Sequence, residues 1–496
     1  MDVIIGVDIG TSATKTVAFC TSGSVLAHDQ VDYELMSPQP GWFEQDPTVL
    51  FDAVINAIAG VVAKTKEKET SISHWAIGFS SAMHGLIAID ERHQPLTNCI
   101  IWADTRSTSF ATALKTSPEG LDAYLKTGTP IHAMSPLAKL CWLRAEMPAI
   151  FKEARKFISI KEFIFQRLFG RYVVDESIAS ATGLFDIRAF QWYGAALELA
   201  GISAGQLSEP VPITYTLSGL TRQMADAMGI SVDTPFVVGG SDGCLANLGA
   251  GAVRPGDAVV SIGTSGAIRI AADAPRTDHL ARTFCYVLTN RLFIVGGAVN
   301  SGGVIFRWYR DTFGPDSVPE KEAYQRLMTE ASGVQPGADG LLFLPYLAGE
   351  RAPHWNAGAK GLFFGVQLHH TRAHFTRAVL EGIIYGLYSV GKVLEELSGP
   401  IKVIHANGGF AQAPFWVQLL ADVFNKRVVV SKESVQDAAK GAYMVVMNAL
   451  GKTAGFEVVD NLSAKMIYEP EVGAHHRYME NFELFNRLYD RVKDEF

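Results

Sequence analysis

The sequence predicts an α/β protein with two domains, each a sheet covered by helices. The chain has 496 residues, which is too long for one hydrophobic core. Short β-branched runs alternate with longer helical patterns along it. One pattern, an apolar strand followed by a Gly-Thr-Ser turn and a second strand, occurs at residues 4–19 and again at 259–270. We therefore expect two halves of similar construction.

Composition narrows the class of protein. Hydrophobic residues make up 48% of the chain and charged residues 19%, and the net charge of −8 includes no basic run, so we expect no nucleic-acid partner. The five cysteines are odd in number and lack paired metal spacing, which favours reduced thiols. The chain begins with a strand rather than a charged leader, and no apolar run approaches the ~18 residues of a membrane span. We expect a soluble, cytoplasmic protein with no membrane partner.

The first Gly-Thr-Ser turn predicts a phosphate site. Its glycine, hydroxyls and following lysine would present amides, O–H groups and an ammonium to a phosphate chain; these residues are Gly10, Thr11, Ser12 and Lys15. Asp8 precedes the turn and would repel phosphate unless a cation lay between them. Asp8 is therefore a candidate Mg²⁺ ligand. The alternative is an ordinary hairpin in which Asp8 and the hydroxyls cap the turn.

The second turn repeats the first with one difference. Gly263 and Thr264 take the places of Gly10 and Thr11, but Ser261 stands where the first copy has Asp8. Only the first half therefore carries the candidate metal carboxylate. Two such turns predict two halves that close on a nucleotide.

The order of elements in the first half predicts a ribonuclease-H-like domain with its ligand at the strand ends. Three strands reach Tyr33, a helix follows over 47–65, and further strands are expected at 74–79, 86–90 and from 100 towards 106. A helical tract is expected over 136–169. In the second half, from residue 249, we expect strands near 258–271, 292–296 and 402–405. We expect helices there from residue 300, over 374–396 and over 413–424.

Asp242 is the candidate general base. It follows the buried run Val237-Val238 on a glycine-flanked turn, from which a carboxylate can reach a substrate hydroxyl. The alternative is that Asp242 caps the following helix.

Other residues are candidates for ligand contacts. His84 follows a strand, although an interior histidine needs no ligand. Trp102, Asp104 and Arg106 alternate at a predicted strand end, where they either hydrogen-bond a polyol or form an exposed edge. The glycine pairs 302–303 and 408–409 precede helices, whose N-termini favour anions, although such pairs are also common in turns.

These stretches together resemble the FGGY carbohydrate kinases, a family of actin-like ATPases, from end to end. The first family signature is similar to residues 134–146, with Ala145 at a place that is usually polar. The second is similar to residues 361–366 and continues through 374–381 without a departure. The resemblance implies two ribonuclease-H-like domains with an interdomain cleft. Residues 1–248 would bind sugar and carry the catalytic Asp and first phosphate turn, and 249–496 would bind nucleotide.

The resemblance also implies roles for single residues. It implies Asp242 as catalytic base, Asp8 as the carboxylate associated with Mg²⁺, and ATP as phosphoryl donor. The implied phosphate-binding set is Thr11, Lys15, Gly263, Thr264 and Gly303, with Gly10 and Ser12 in the same turn, and the implied adenosine site is Gly408 and Gly409. Met83 and His84 occupy a Met-His-Gly position that contacts sugar in xylulose kinases, and Trp102, Asp104 and Arg106 complete the expected substrate side.

The substrate is expected to be a small open-chain sugar or sugar acid. Residues 127–137, 160–165 and 177–183 resemble the gluconate kinases of the family, and residues 102–104 read Trp-Ala-Asp where xylulose kinases usually carry Trp-Asn-Asp. The Met-His-Gly at 83–85 points instead to xylulose kinases. A gluconate carboxylate would be met by a cation or several donors, and the candidate side chains are Arg106, His132, Lys139 and Lys161.

We therefore expect ATP-dependent phosphorylation of D-gluconate at its terminal hydroxyl. D-xylulose is the alternative substrate, and a chaperone-like or filament-forming ATPase without a sugar substrate is the alternative from another class. Exposed apolar surface on the second domain could support a homodimer.

Overall fold

The computed structural model describes residues 1–69, 71–315, 318–431, 437–456 and 465–496. The chain divides into two compact units, each made of three segments. Unit 1 comprises Met1–Val253, Ala272–Ile294 and Gln436–Leu462, and unit 2 comprises Arg254–Ala271, Val295–Val435 and Ser463–Phe496. The expected functional boundary between residues 248 and 249 stays a prediction.

The described residues contain strands and helices in alternation. The strands are β1 (Asp2–Ile9), β2 (Ala13–Cys20), β3 (Val25–Asp32), β4 (Glu44–Gln45), β5 (His74–Ser81), β6 (Ile87–Ile89), β7 (Cys99–Ile100), β8 (Lys156–Ile158), β9 (Val173–Asp175), β10 (Phe185–Asp186), β11 (Gln191–Trp192), β12 (Glu209–Val211), β13 (Thr216–Leu217), β14 (Phe236–Ser241), β15 (Asp257–Ile262), β16 (Gly266–Ala272), β17 (Phe284–Thr289), β18 (Leu292–Val299), β19 (Leu342–Pro345), β20 (Gly361–Phe364), β21 (Val403–Asn407), β22 (Arg427–Ser431) and β23 (Lys465–Tyr468). The α-helices are α1 (Pro47–Lys68), α2 (Thr108–Lys115), α3 (Pro118–Thr127), α4 (Pro136–Glu146), α5 (Pro148–Glu153), α6 (Ile160–Phe169), α7 (Glu176–Ser180), α8 (Gly194–Ala200), α9 (Arg222–Met228), α10 (Asp242–Gly249), α11 (Gly303–Phe313), α12 (Glu320–Ser332), α13 (Arg372–Ser398), α14 (Pro414–Phe424), α15 (Asp437–Ala449) and α16 (Val472–Val492).

The main sheet of unit 1 has the strand order β13-β14-β5-β1-β2-β3. Strands β1, β2 and β3 form an antiparallel meander, while β5 and β14 run parallel to β1. This is the predicted ribonuclease-H-like order. Because β1, β5 and β14 are parallel, their carboxyl ends lie at one edge of the sheet, where α/β proteins bind ligands.

Helix α1 covers one face of this sheet. Val3, Ile5 and Val7 of β1 join its apolar side chains in the core. The helix begins after Asp46, whose carboxylate accepts the Thr48 N–H at 2.7 Å. By length and composition alone, α1 could cross a membrane, so the expectation that no segment reaches that length was wrong. A core helix of this kind passes the same test, and one side of α1 is buried against the sheet.

The second sheet repeats the first. Its order is β17-β18-β16-β15-β21-β22-β23. Strands β15 and β16 form an antiparallel hairpin like β1 and β2, and β21 runs parallel to β15 as β5 does to β1. An antiparallel edge strand, β23, lies beside β22 as β13 lies beside β14. The repeated turn in the sequence therefore marks a repeated sheet.

Some local expectations failed. The strand expected to run towards residue 106 ends at Ile100, and residues 102–107 form turns and irregular backbone. The helical tract expected over 136–169 consists of α4, α5, β8 and α6. Pro148 ends α4, because helical geometry is disfavoured for the residue before a proline. That residue is Met147, whose φ of −132° and ψ of 54° are not helical. Strand β17 was not predicted.

Candidate active site

The parallel strands of unit 1 bring Asp8 and Asp242 to one edge of the sheet. Asp8 is paired in register with Ser80 of β5, and Ser80 is paired with Gly240 of β14. The Ser80 hydroxyl donates to Asp8 Oδ1 at 2.8 Å. Neighbouring strands lie ~4.8 Å apart, so these three residues form one row across the sheet. Asp242 lies two residues after Gly240, directly beyond the carboxyl end of β14.

The surroundings of the Asp8 carboxylate combine burial with one hydroxyl donor and one lysine. Burial of Asp8 raises its pKa, and the Ser80 hydrogen bond and the Lys15 charge only partly oppose this effect. Lys15 lies opposite Asp8 on β2 and is exposed. Asp8 thus bonds across to a neighbouring strand, so the hairpin-capping alternative does not describe it.

The donor set around Asp8 fits Mg²⁺ bound with a nucleotide. Mg²⁺ is usually held by one or two carboxylates together with substrate phosphates. Among the described residues, no group of three or more His, Cys, Asp or Glu side chains could hold a metal ion by itself. One carboxylate beside a phosphate-type turn matches the first arrangement and not an all-protein metal cage.

The first phosphate turn is braced by side chains distant in sequence. The Tyr33 hydroxyl donates to the Gly10 carbonyl at 2.7 Å, and Gln45 Nε2 donates to the Thr11 carbonyl at 2.7 Å. The Trp102 indole N–H donates to Thr11 Oγ1 at 3.0 Å. Tyr33 and Gln45 were not identified from the sequence, where each lies between two acidic residues and no local signal marks it. Trp102, expected on the substrate side, contacts the phosphate turn.

A β-bulge shapes the strand that leads to Asp242. Val237 is paired with Gly78 and Gly240 with Ser80, so two residues of β14 oppose one residue of β5. Gly239, inside the bulge, has φ +69°. A Cβ atom there would lie 1.7 Å from a backbone oxygen of β5. Only glycine fits, and the bulge redirects the chain as it approaches Asp242.

Asp242 is the first residue of helix α10 and not its cap. Ser241 holds the N-cap position, so the capping alternative for Asp242 is wrong. The Asp242 Oδ1 atom accepts the Gly243 N–H at 2.6 Å. The carboxylate therefore lies at the start of a helix, on the edge of the sheet shared with Asp8.

His84 is held from three directions within unit 1. Its backbone is left-handed at φ +69°, a conformation that costs on the order of 1–3 kcal/mol in a non-glycine residue, and its side chain is buried. Nδ1 lies 2.7 Å from the Ala181 carbonyl oxygen, which can only accept, so Nδ1 carries the hydrogen. Nε2 lies 3.4 Å from the Tyr286 hydroxyl. Met83, beside it, is half-buried.

Lys139 secures the backbone next to His84. Its ammonium is fully buried and donates to the carbonyls of His84 at 2.6 Å, Ile100 at 3.0 Å and Ile101 at 2.8 Å. Burial lowers the pKa of Lys139 to about 7. Its three donors all serve the backbone, so Lys139 holds together the segments that carry His84, Ile100 and Ile101.

Asp104 and Arg106 form a buried ion pair rather than an exposed edge. Arg106 Nη2 lies 2.8 Å from Asp104 Oδ2 and 2.7 Å from Glu44 Oε1. The guanidinium carbon lies 3.8 Å from the Trp42 ring centroid and 5.1 Å from that of Trp142. Both charged side chains are therefore paired with other groups inside unit 1, and they closely follow the turn that carries Trp102 in the sequence.

The other two candidate cations differ. The Lys161 ammonium lies 2.6 Å from Asp175 Oδ2 and donates to the Gly240 carbonyl at 3.2 Å. His132 is half-buried, and its Nδ1 accepts the Met134 N–H at 3.1 Å. All four side chains proposed for a substrate carboxylate thus have partners within the protein, and those of Arg106, Lys139 and Lys161 include buried polar groups.

The second phosphate turn is joined to the start of a helix in unit 2. The Gly303 N–H donates to the Gly263 carbonyl at 2.7 Å, and the Val304 N–H donates to the Thr264 carbonyl at 3.0 Å. A Cβ atom on Gly302 would lie 2.4 Å from the Ser265 backbone, whereas one on Gly263 would meet nothing within 4 Å. The turn and helix α11 are therefore closely packed, and Gly263 and Thr264 are exposed.

The second glycine pair lies beside the same strand end. Gly408 has φ +92°, and a Cβ atom there would lie 2.5 Å from the Ile262 oxygen at the end of β15. A Cβ atom on Gly409 would meet nothing within 4 Å. Unit 2 thus brings Gly263, Thr264, Gly303, Gly408 and Gly409 to the ends of two adjacent parallel strands, β15 and β21.

Glu350 also organises this region and was not identified from the sequence. It is 3% exposed, and its carboxylate accepts the Asn300 N–H at 2.5 Å and the Ser301 hydroxyl at 2.7 Å. Burial raises its pKa. Glu350 thereby holds the loop that leads into α11. No local pattern distinguishes it from a surface glutamate.

Comparison with known proteins agrees with this geometry. The N-terminal domain model of the FGGY family of carbohydrate kinases matches residues 3–249, and the C-terminal domain model matches residues 258–450. The chain is 43% identical to a gluconokinase of Bacillus licheniformis, over 99% of this chain and 96% of that protein. It is 29% identical to a xylulose kinase of Staphylococcus epidermidis, over 99% and 97%.

Solved structures are similar over the same extent. A gluconate kinase from Lactobacillus acidophilus has a TM-score of 0.93 at 34% identity, covering 99% of this chain and 98% of that one. A ligand-bound xylulose kinase from the same organism has a TM-score of 0.94 at 33% identity, covering 99% of both chains. The predicted two-domain, actin-like α/β fold is confirmed, and the expected alternative of a chaperone-like or filament-forming ATPase is excluded. The chain belongs to the FGGY family of carbohydrate kinases and is an ATP-dependent sugar kinase.

Proposed function

We propose that the enzyme transfers the γ-phosphoryl group of ATP to the terminal hydroxyl of D-gluconate, giving 6-phospho-D-gluconate. The observation that carries this proposal is the 43% identity to a gluconokinase over nearly the whole chain, against 29% to a xylulose kinase. The gluconate kinase structure and the xylulose kinase structure are about equally similar to this chain in fold. Similarity of fold therefore does not discriminate between the two substrates.

The proposed base is Asp242. At the carboxyl edge of β14, its carboxylate would accept the proton of the attacking hydroxyl as the oxygen bonds to phosphorus and the bond to ADP breaks. The Asp242 Oδ1 bond to the Gly243 N–H would keep the carboxylate oriented. Phosphoryl transfer relies mainly on positioning and electrostatics, which these fixed groups supply.

Asp8 is the residue proposed to hold Mg²⁺. The bound ion would neutralise charge on the phosphates. In unit 1, the turn from Gly10 to Ser12 and Lys15 supply the proposed phosphate donors. In unit 2, the proposed phosphate contacts are Gly263, Thr264 and Gly303. Gly408 and Gly409 are the proposed adenosine contacts.

The gluconate carboxylate is proposed to meet neutral donors rather than the buried cations. Arg106, Lys139 and Lys161 already bond to protein groups, so a substrate carboxylate bound to any of them would compete with those partners. The expectation that one of these three would discriminate gluconate from xylulose is therefore withdrawn. Met83, His84 and Trp102 remain the proposed sugar contacts, while Asp104 and Arg106 are proposed to support them.

We propose a cytoplasmic enzyme acting on small molecules, with no nucleic-acid or membrane partner.

A substrate panel tests the proposal. ADP release from ATP and Mg²⁺ would be followed with gluconate, xylulose, ribulose, glycerol and erythritol, each at about 1 mM, the upper end of typical KM values. We expect turnover on gluconate, and in Asp242→Asn a fall in kcat of at least about 10²-fold with ATP binding retained. Turnover on xylulose alone would overturn the substrate assignment, and normal turnover in Asp242→Asn would overturn the base.

A further inference from the structure

The peptide group that joins Gly240 to Ser241 is held at both ends by buried side chains. Lys161 of α6 donates to its carbonyl oxygen at 3.2 Å. Ser177 of α7 accepts its N–H at 3.1 Å, and the hydroxyls of Ser177 and Ser241 lie 2.8 Å apart. Lys161 is 2% exposed and Ser177 is fully buried. One peptide plane, separated from Asp242 only by Ser241, is thus fixed from two different helices.

Two successive glycines precede this peptide group, so the local backbone has few intrinsic restraints of its own. It contains the bulge at Gly239 and the glycine at position 240, which restrict the backbone least. The orientation of the 240–241 peptide sets the direction in which the chain enters α10. It therefore sets where the Asp242 carboxylate points.

The charge of Lys161 is itself balanced within unit 1. Asp175 lies 2.6 Å from its ammonium and is fully buried. Asp175 also accepts the Ile178 N–H at 2.9 Å and so caps helix α7. The ion pair thus connects α6 to the start of α7, two residues before Ser177.

We propose that Lys161 and Ser177 are positioning residues that hold the Asp242 carboxylate in line with the attacking hydroxyl. This proposal rests on the proposed role of Asp242 as general base. Both side chains would act through the 240–241 peptide group and not by contact with the substrate hydroxyl. A misplacement of ~1 Å can cost about 10²-fold in rate, so a fixed peptide plane is of direct catalytic value.

The first test is Ser177→Ala. The substrate would be D-gluconate, or D-xylulose if only that is turned over. We expect kcat to fall at least about tenfold while the KM values for ATP and sugar change less than threefold, because binding groups are untouched. The matched control is Ser389→Ala. Ser389 is also buried, but its hydroxyl bonds only to the Tyr385 carbonyl of its own helix, so kcat should stay within twofold of the parent value.

A double-mutant cycle separates positioning from general damage. In an Asp242→Asn background, Ser177→Ala should change the residual rate less than twofold, because no base remains to be positioned. An equal loss in both backgrounds, or normal kcat in Ser177→Ala alone, would overturn the proposal. If Asp242→Asn itself turned over normally, the base assignment would fall, and the positioning role with it.

Lys161 is tested with its partner. Lys161→Met alone would leave Asp175 charged and buried, so the variant to measure is Lys161→Met with Asp175→Asn, since asparagine can still cap α7. Once circular dichroism shows a folded protein, we expect the same fall in kcat with KM preserved, and the same disappearance of the effect in Asp242→Asn. Normal kcat in the folded double variant would contradict the role of Lys161, and failure to fold would show that the pair serves stability instead.

Discussion

Buried charge in unit 1 serves mainly to hold backbone in place. Lys139 donates to the carbonyl of His84, and Lys161 donates to that of Gly240, two residues before the proposed base. Arg106 is enclosed by Asp104, Glu44 and two tryptophan rings. Leaving such a charge without its partners would cost several kcal/mol. Substitution of these residues is therefore expected to act through the position of neighbouring groups rather than through loss of a ligand contact.

Glu162 gives a prediction for pH. Burial raises its pKa to about 7 from an ordinary 4.5. Between those values the folded protein keeps a proton that the unfolded chain has released, so the free energy of unfolding falls as pH rises through this window and is constant above it. The loss is about 3 kcal/mol, at 1.36 kcal/mol per pKa unit.

Glu162→Gln should lack this loss while still accepting the Ser159 N–H that the carboxylate accepts at 2.5 Å. Urea unfolding at pH 4.5 and pH 7.5 should therefore show the variant gaining stability relative to the parent protein as pH rises. The exposed Glu209 supplies the control, as Glu209→Gln should follow the parent at both pH values. An unchanged difference between Glu162→Gln and the parent at the two pH values would contradict the prediction.

At the scale of elements, helix α15 packs on the sheet of unit 1 through glycines. A Cβ atom on Gly6 would lie 2.2 Å from the Ala439 oxygen, and one on Gly78 would lie 2.8 Å from the Ala442 oxygen. Backbone oxygens cannot move aside as a flexible side chain can. The small residues therefore set how closely this helix approaches β1 and β5.

Gly6→Ala should consequently destabilise unit 1 by about 2 kcal/mol, within the range for an overpacked core. Thermal unfolding would measure it as a lower Tm. Gly194→Ala is the matched control, because a Cβ atom there meets nothing within 4 Å, and its Tm should stay within a degree or two of the parent value. Equal Tm values for the two variants would show that α15 can shift to accept the methyl group.

At the scale of the whole molecule, two sheets of like topology carry different chemistry. Asp8 and Lys15 are paired on the first hairpin, and Ser261 and Ala267 occupy the corresponding pair on the second. The repeat thus retains the backbone of the phosphate turn in both units. Its charged pair is present in unit 1 alone.

This asymmetry predicts how the enzyme depends on magnesium. Asp8→Asn should raise the Mg²⁺ concentration for half-maximal activity by at least about tenfold, since loss of even a supporting group at a metal site typically costs that much. Ser261→Ala should change it less than twofold. A Mg²⁺ titration at fixed ATP would compare them. Similar titration curves for Asp8→Asn and the parent would remove Asp8 from the proposed metal site.

The sequence alone determined the fold class, the repeated phosphate turns, and Asp8 and Asp242 as the residues to examine. These features could be predicted because each is local: a strand, a glycine turn and a polar residue lie within about a dozen positions of one another. The helices over 47–65 and 374–396 were predicted for the same reason, and the structure has them as α1 and α13.

Only the tertiary structure decided what the charged residues do. Arg106 reaches Glu44 across 62 positions, and Lys161 reaches Gly240 across 79. No spacing rule connects residues so far apart, because packing of the sheets and helices brings them together. The same applies to α15, which lies late in the chain but packs on the first sheet. Local pattern specifies elements and turns, whereas ion pairs and buried hydrogen bonds depend on which elements become neighbours in the folded protein.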